Sequence, residues 1–200
     1  MTRPYAAWVG LAAVLAVAAL LGQTLPAERI DWQPALAFDE PWRAFTAVGV
    51  HYSRAHLLGN LAGVVLAAVF GVAAMVPPRL AAAWLAAWPL TQLGLLLRPD
   101  LLHYGGLSGV LHAGVAAIVV WVLATGRTRA QRGVGVAVAI GLIAKLVSET
   151  PWGPSVRHSA GWDIAVAPLA HTTGALAGAL CALASLVIIR RAPPRPTTPS

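Results

Sequence analysis

Five side chains in this 200-residue chain are of types that can together perform acyl transfer. Ser108 stands in GGLSGVLH (105–112), and His112 follows one helical turn later. His56 and Asn60 lie four apart in HYSRAHLLGN, and His171 lies in PLAHTTGALAG. A serine beside a histidine base is the minimum for a nucleophilic acyl-transfer centre. Histidine and asparagine donors would suit the place where an oxyanion develops. Each residue has an ordinary reading as well: serine as a helix cap or packing residue, histidine as a satisfied buried group or a metal ligand. Acyl transfer therefore requires that other elements bring them together.

The surroundings are apolar. The chain is 58% hydrophobic and 10% charged, with a mean hydropathy of +0.71. Soluble domains carry about 25% charged residues, so a polytopic membrane protein is expected. The lone cysteine, Cys181, excludes a disulfide framework and a multi-cysteine metal site, and is read as a packing residue. Spans of roughly 20 residues are needed to cross the hydrocarbon. The pattern predicts an all-α bundle of six, over 5–22, 56–75, 80–97, 107–124, 133–149 and 167–189. Residues 1–190 form one membrane domain, with an exterior loop at 23–55. A basic, proline-rich tail, expected to be disordered, occupies 191–200. The first span is read as retained rather than cleaved, since a good small-residue cleavage pattern is missing after it.

Charge sorts by side. Arg3, Arg79, Arg127, Arg129, Arg132, Arg190, Arg191 and Arg195 fall on one side with no acid among them. All 7 acids, Glu28, Asp31, Asp39, Glu40, Asp100, Glu149 and Asp163, fall on the other. The positive-inside rule then places both termini in the cytoplasm. The net charge of +7 is a topology signal, and no nucleic-acid partner is expected.

With that orientation the second, fourth and sixth spans run inward, and their first turns carry the polar residues. At a rise of about 1.5 Å per residue, Ser108 sits about 24 Å above the cytoplasmic end of its span, His171 about 27 Å, and His56 and Asn60 about 27 and 21 Å. All four share the outer layer. Gly174 and Gly178 form a GxxxG stripe, and Gly109 and Ala113 are small. Close contact of the fourth and sixth helices is expected. Gly105 and Gly106 would let the chain turn sharply just before Ser108.

These motifs resemble the rhomboid intramembrane serine proteases over residues 42–180. WRAFTAVGVHYSRAHLLGN resembles the family's WR and HxxxxHxxxN motifs, GLSG its nucleophile motif, and AHTTGALAG its AHxxGxxxG motif. The resemblance implies a serine–histidine dyad without a third acid. Ser108 would be the nucleophile and His171 the general base, with His56 and Asn60 lining the oxyanion hole. His51 would give structural support, and Trp42 and Arg43 would be the WR pair. Gly106, Gly109, Gly174 and Gly178 would serve as supporting positions. No metal or other cofactor is implied. His112 stands where relatives commonly carry a tyrosine packed on the catalytic histidine.

GLSGVLHA, with Lys145 and Glu149 late in the fifth helix, resembles the rhombosortase branch. That implies a bacterial inner-membrane enzyme with its site toward the outer face. Its partners would be the lipid bilayer and transmembrane substrates with C-terminal glycine-rich sorting tails. Two rivals are a catalytically silent binder of membrane clients and a small histidine-lined transporter. Retaining nucleophile, base and oxyanion residues is unnecessary for the first. The second lacks a polar trail to the cytoplasmic side. There is no HExxH for a zinc protease and no aspartate pair within the spans.

The charge sorting predicts that a cysteine placed at Ser200 is protected from an impermeant thiol reagent in intact cells. Residues 23–55 should be reached by it. Labelling at Ser200 from outside would reverse the orientation.

Overall fold

A computed structural model describes residues 3–158 and 163–191, with side chains as far as residue 187. The tail from residue 192, including Arg195, lies outside the described residues, as do the side chains of Arg190 and Arg191. Six long helices carry the fold: α1 (Ala6–Gly22), α2 (Arg54–Ala73), α3 (Pro78–Leu93), α4 (Ser108–Thr125), α5 (Arg129–Ser148) and α6 (Pro168–Arg191). A 3-10 turn, Gly94–Leu97, extends α3. Among the described residues, five helices (α2 to α6) are long and apolar enough to cross a membrane, and α1 is apolar but shorter.

Local chemistry sets the helix starts. Ser53 caps α2 by accepting the His56 backbone N–H at 3.0 Å. Pro78 opens α3, where its missing N–H costs nothing. Thr128 and Gln131 form a reciprocal capping box on α5. Burial then follows helical period. On α1 the buried face is Trp8, Ala12, Leu15, Ala19 and Gly22; on α2 it is His56, Asn60, Val64, Ala67 and Gly71. The buried stripe of α2 is thus polar at one end and small at the other. Its opposite face leaves Leu58, Val65, Leu66 and Val69 exposed, which suits hydrocarbon.

Helix α4 is the hub, with ten buried residues, from Gly109 to Val122. It meets α6 backbone to backbone. A Cβ on Gly174 would lie 2.0 Å from the Gly109 carbonyl oxygen, and one on Gly178 would lie 2.0 Å from that of Ala113. Any side chain at either position would force the helices apart, so the GxxxG stripe is a steric requirement here. On the other flank two tryptophans fill the core. Trp8 and Trp84 stack at 4.3 Å. Trp8 Nε1 donates to the Ala67 carbonyl (3.0 Å) and Trp84 Nε1 to that of Val110 (2.7 Å). Gly71 and Gly114 leave the room these rings occupy. Helix α5 differs from all of these: Gly135 is its one buried residue.

The segment before α2 is built rather than slack. It holds single-turn helices at Ala27–Ile30 and Arg43–Thr46. Arg43 is buried; Nη1 donates to the carbonyls of Glu28 (2.9 Å) and Asp31 (3.0 Å) and to Asp31 Oδ1 (3.2 Å), and Nε to Glu40 Oε2 (2.5 Å). Asp31 also meets His103 Nδ1 at 2.7 Å. Trp32 and Tyr104 exchange backbone hydrogen bonds at 2.8 Å each way. The loop is thereby clamped onto the strand-like approach to α4. A short hairpin also departs from the all-α expectation. β1 (Arg157–His158) pairs antiparallel with β2 (Ala165–Val166) between α5 and α6.

Gly174→Val should lower stability by about 2 kcal/mol or more through overpacking, read as a thermal unfolding shift in detergent. Gly10 has open space around its Cβ position, so Gly10→Ala should change stability by less than about 0.5 kcal/mol beyond its helix-propensity gain.

Candidate active site

The turn before α4 aims Ser108. Gly106 has φ +124°, a conformation that L side chains resist. A Cβ there would also lie 2.7 Å from His56 Nε2. The Gly106 N–H donates to the Ala47 carbonyl at 2.9 Å, pinning the turn to the segment before α2. Ser108 is then the first residue of α4, in the turn whose backbone N–H groups have no intrahelical acceptors.

Close packing of α4 on α6 brings His171 to Ser108. His171 Nε2 lies 2.8 Å from Ser108 Oγ, and His171 Nδ1 lies 2.6 Å from Glu149 Oε2. A carboxylate only accepts, so Nδ1 carries the proton and donates it to Glu149. Nε2 is left with its lone pair toward the serine hydroxyl, which is the tautomer a general base needs. The His112 ring stacks on that of His171, with centroids 4.3 Å apart and planes 13° from parallel. His112 Nδ1 donates to the Ser108 carbonyl at 2.6 Å, which fixes its own ring. His112 therefore occupies the stacking position expected of it, and holds it through the helix that carries the serine.

From α2, His56 and Asn60 face the Gly106 turn. Asn60 Nδ2 lies 3.5 Å from the position of a Gly106 Cβ. Both residues are buried, and among the described residues neither His56 Nδ1 nor Asn60 Nδ2 has a hydrogen-bond partner. Leaving a buried donor unpaired costs about 1–3 kcal/mol. Asn60 Nδ2, which lines the same cavity as Ser108, is placed to donate to an acceptor brought by a ligand, and the His56 ring lines that cavity with Nε2 toward the Gly106 turn. His51 packs behind them, its ring 4.7 Å from that of His56. Its Nδ1 contacts Gln23 Nε2 (3.3 Å) and the Gly49 carbonyl (3.4 Å). Burial lowers the His51 pKa from its ordinary value, so at neutral pH it is an uncharged prop. Trp42 and Arg43 lie away from the serine: Trp42 is about half exposed, and Arg43 is the clamp of the exterior segment.

A cavity of about 760 Å³ joins these groups. Ser108, His112 and His171 form its polar end, and it continues between α2 and α5 past Gly63, Phe70, Val138 and Gly141. Tyr104 also lines it. Burial pushes the Tyr104 hydroxyl up to about 12, so it stays a neutral phenol beside Gly109. Among the described residues no group of three or more His, Cys, Asp or Glu is arranged to hold a metal ion.

One expectation is corrected: a dyad without a third acid is expected, yet Glu149 reaches His171 Nδ1. Helix α5 runs antiparallel to α6, so its last residues share a layer with the first turn of α6, a placement that helical rise along α5 also gives. The His103–Asp31 contact joins positions 72 residues apart and has no local signal in the sequence.

The Rhomboid domain family profile matches residues 39–187, from the exterior segment through α6. No curated protein matches the chain.

The stacked geometry predicts that His112→Tyr keeps most of the reactivity of Ser108 toward a fluorophosphonate. His112→Ala should lose about 10-fold or more through a poorly oriented base, within the range of general-base effects. Equal wild-type rates in both would make His112 a packing residue only.

Proposed function

Because the chain belongs to the rhomboid family, we propose that it is an intramembrane serine endopeptidase with Ser108 as nucleophile and His171 as general base. The observation that carries this reading is the 2.8 Å contact of Ser108 Oγ with His171 Nε2 inside a bundle of membrane-crossing helices. A transmembrane substrate approaches laterally between α2 and α5, where the cavity is lined by apolar and small residues, and unwinds near the outer face. Ser108 Oγ attacks the scissile carbonyl carbon while its proton passes to His171 Nε2. The developing oxyanion takes hydrogen bonds from Asn60 Nδ2, from His56 and from a backbone N–H of the Ser108 turn. Collapse of the tetrahedral adduct breaks the C–N bond, and His171 returns the proton to the leaving amine. Water, activated by the same imidazole, hydrolyses the acyl-enzyme and restores the serine.

The sorting of basic and acidic residues supports six spans with both termini in the cytoplasm, and with them a site on the outer side of a bacterial inner membrane. The rhombosortase-like features, GLSGVLHA with Lys145 and Glu149, support C-terminal sorting tails as substrates. Glycine at the cut suits a site that must receive an extended peptide, since glycine destabilises helix by about 1 kcal/mol relative to alanine.

A fluorophosphonate probe with mass mapping of the adduct tests the reading. Ser108 should be the labelled residue, and Ser108→Ala and His171→Ala should each abolish cleavage while remaining folded. The double variant should lose little beyond either single change, because such residues act as one unit. Asn60→Ala should reduce turnover by about 10²–10³-fold, as for one oxyanion donor. Full activity in folded Ser108→Ala would remove the serine mechanism. Wild-type turnover in folded Asn60→Ala would assign that residue to loop support.

A further inference from the structure

We propose that Glu149 is the positioning residue of the general base: it orients His171 and compensates the imidazolium, making the centre a Ser108–His171–Glu149 relay whose acid is supplied by α5. This rests on the acyl-transfer reading of Ser108 and extends it. The contact is specific. Glu149 Oε2 accepts from His171 Nδ1 at 2.6 Å, and its other oxygen, Oε1, is paired with Lys145 Nζ one turn back. Arg157 of β1 fixes the backbone beneath it, donating to the Glu149 carbonyl (2.9 Å) and to Thr150 Oγ1 (2.5 Å). The carboxylate is thus held by both oxygens with its main chain tied down.

The surroundings give it a task. Among the described residues, the charged or titratable groups that share the cavity around His171 include His56 from α2, His112 from α4, Lys145 and Glu149 from α5, and Tyr104 beside Ser108; Ser108 is the partner of Nε2. Glu149 is the one anion among them. When His171 takes the serine proton it becomes a cation stacked on one histidine and near another, with an ammonium beyond. Removing an ion's partner in such a setting leaves an uncompensated buried charge, which is strongly unfavourable. Glu149 remains a carboxylate throughout; no proton moves to it. It holds Nδ1–H in place, so that Nε2 both accepts the serine proton and returns it to the leaving amine.

The simpler role for Glu149 would be to fasten α5, which has little else to hold it. The two roles separate experimentally. In the full-length protein in detergent, the fluorophosphonate labelling rate of Ser108 and the cleavage kinetics of a transmembrane substrate are compared across a cycle of Glu149→Gln and His171→Ala. Glu149→Gln should lower kcat by about 10²-fold or more with KM changed less than about 3-fold, since loss of the corresponding acid in a serine triad can cost about 10⁴. In the His171→Ala background, where cleavage is already abolished, the same change should leave the residual fluorophosphonate labelling rate of Ser108 unchanged, because its influence runs through the imidazole. Glu149→Asp, which keeps the charge but withdraws it by about one bond, should fall between, and supplies the test should the glutamine variant not fold.

Wild-type labelling rates in folded Glu149→Gln or Glu149→Asp would overturn the proposal. So would equal losses from Glu149→Gln in the wild-type and His171→Ala backgrounds, the pattern of a helix fastener. Failure of wild-type Ser108 to label at all would instead overturn the acyl-transfer reading, and this proposal with it.

Discussion

The side-chain-free contact between α4 and α6 is the constraint on which the rest of the site depends. Gly174 lies against the Gly109 carbonyl and Gly178 against that of Ala113, at distances that leave no space for a methyl group. Two helices that approach this closely align their N-terminal ends with little freedom. Ser108 stands in the first turn of one and His171 in the first turn of the other, and the 2.8 Å contact between Oγ and Nε2 follows from that alignment. Within a bilayer there is little hydrophobic drive to bring helices together, so van der Waals contact between small residues does the work.

A second layer of constraint reaches the serine from the loop before α2. The Arg43–Asp31 pair, the Trp32–Tyr104 bridge and the Gly106–Ala47 hydrogen bond tie the loop before α2 to the turn before α4. That turn has irregular backbone at the edge of the membrane. Such backbone is stable there only because protein surrounds it and satisfies its polar groups. Arg43 thus acts at a distance from the serine: it assembles the segment before α2, and that segment holds the turn. His51 plays a similar part for His56.

The bundle is uneven, and the unevenness matters for chemistry. Helices α1 to α4 and α6 share a core centred on the stacked Trp8 and Trp84 rings. Helix α5 borders the cavity and buries one residue. Its outer end is secured by polar contacts, among them the one between Glu149 and His171. A large substrate helix needs a side on which the bundle is lightly packed, and the catalytic groups need a side on which it is rigid. Ser108 and His171, the proposed nucleophile and base, lie on the rigid pair, α4 and α6. Glu149 lies on the lightly packed helix.

Much of this was legible in the residues. Composition set the solvent, since a chain with so few charges cannot cover itself in water. Charge sorting and helical rise placed Ser108, His171, His56 and Asn60 in one layer, because helix geometry is local and one-dimensional. GxxxG announced a close contact, because only glycine permits it. What the linear pattern did not contain was the partner across space. Stacking of His112 on His171 depends on the rotation of two helices about their axes. The clamp of Asp31 by Arg43 and His103 depends on the path of a loop. Glu149 reads along the sequence as the end of an ion-paired turn with Lys145, an i,i+4 pair complete in itself. Only the antiparallel packing of α5 beside α6 turns its second oxygen toward His171. Local periodicity determines what lies at each depth, whereas rotation and adjacency are set by the packing of the whole bundle.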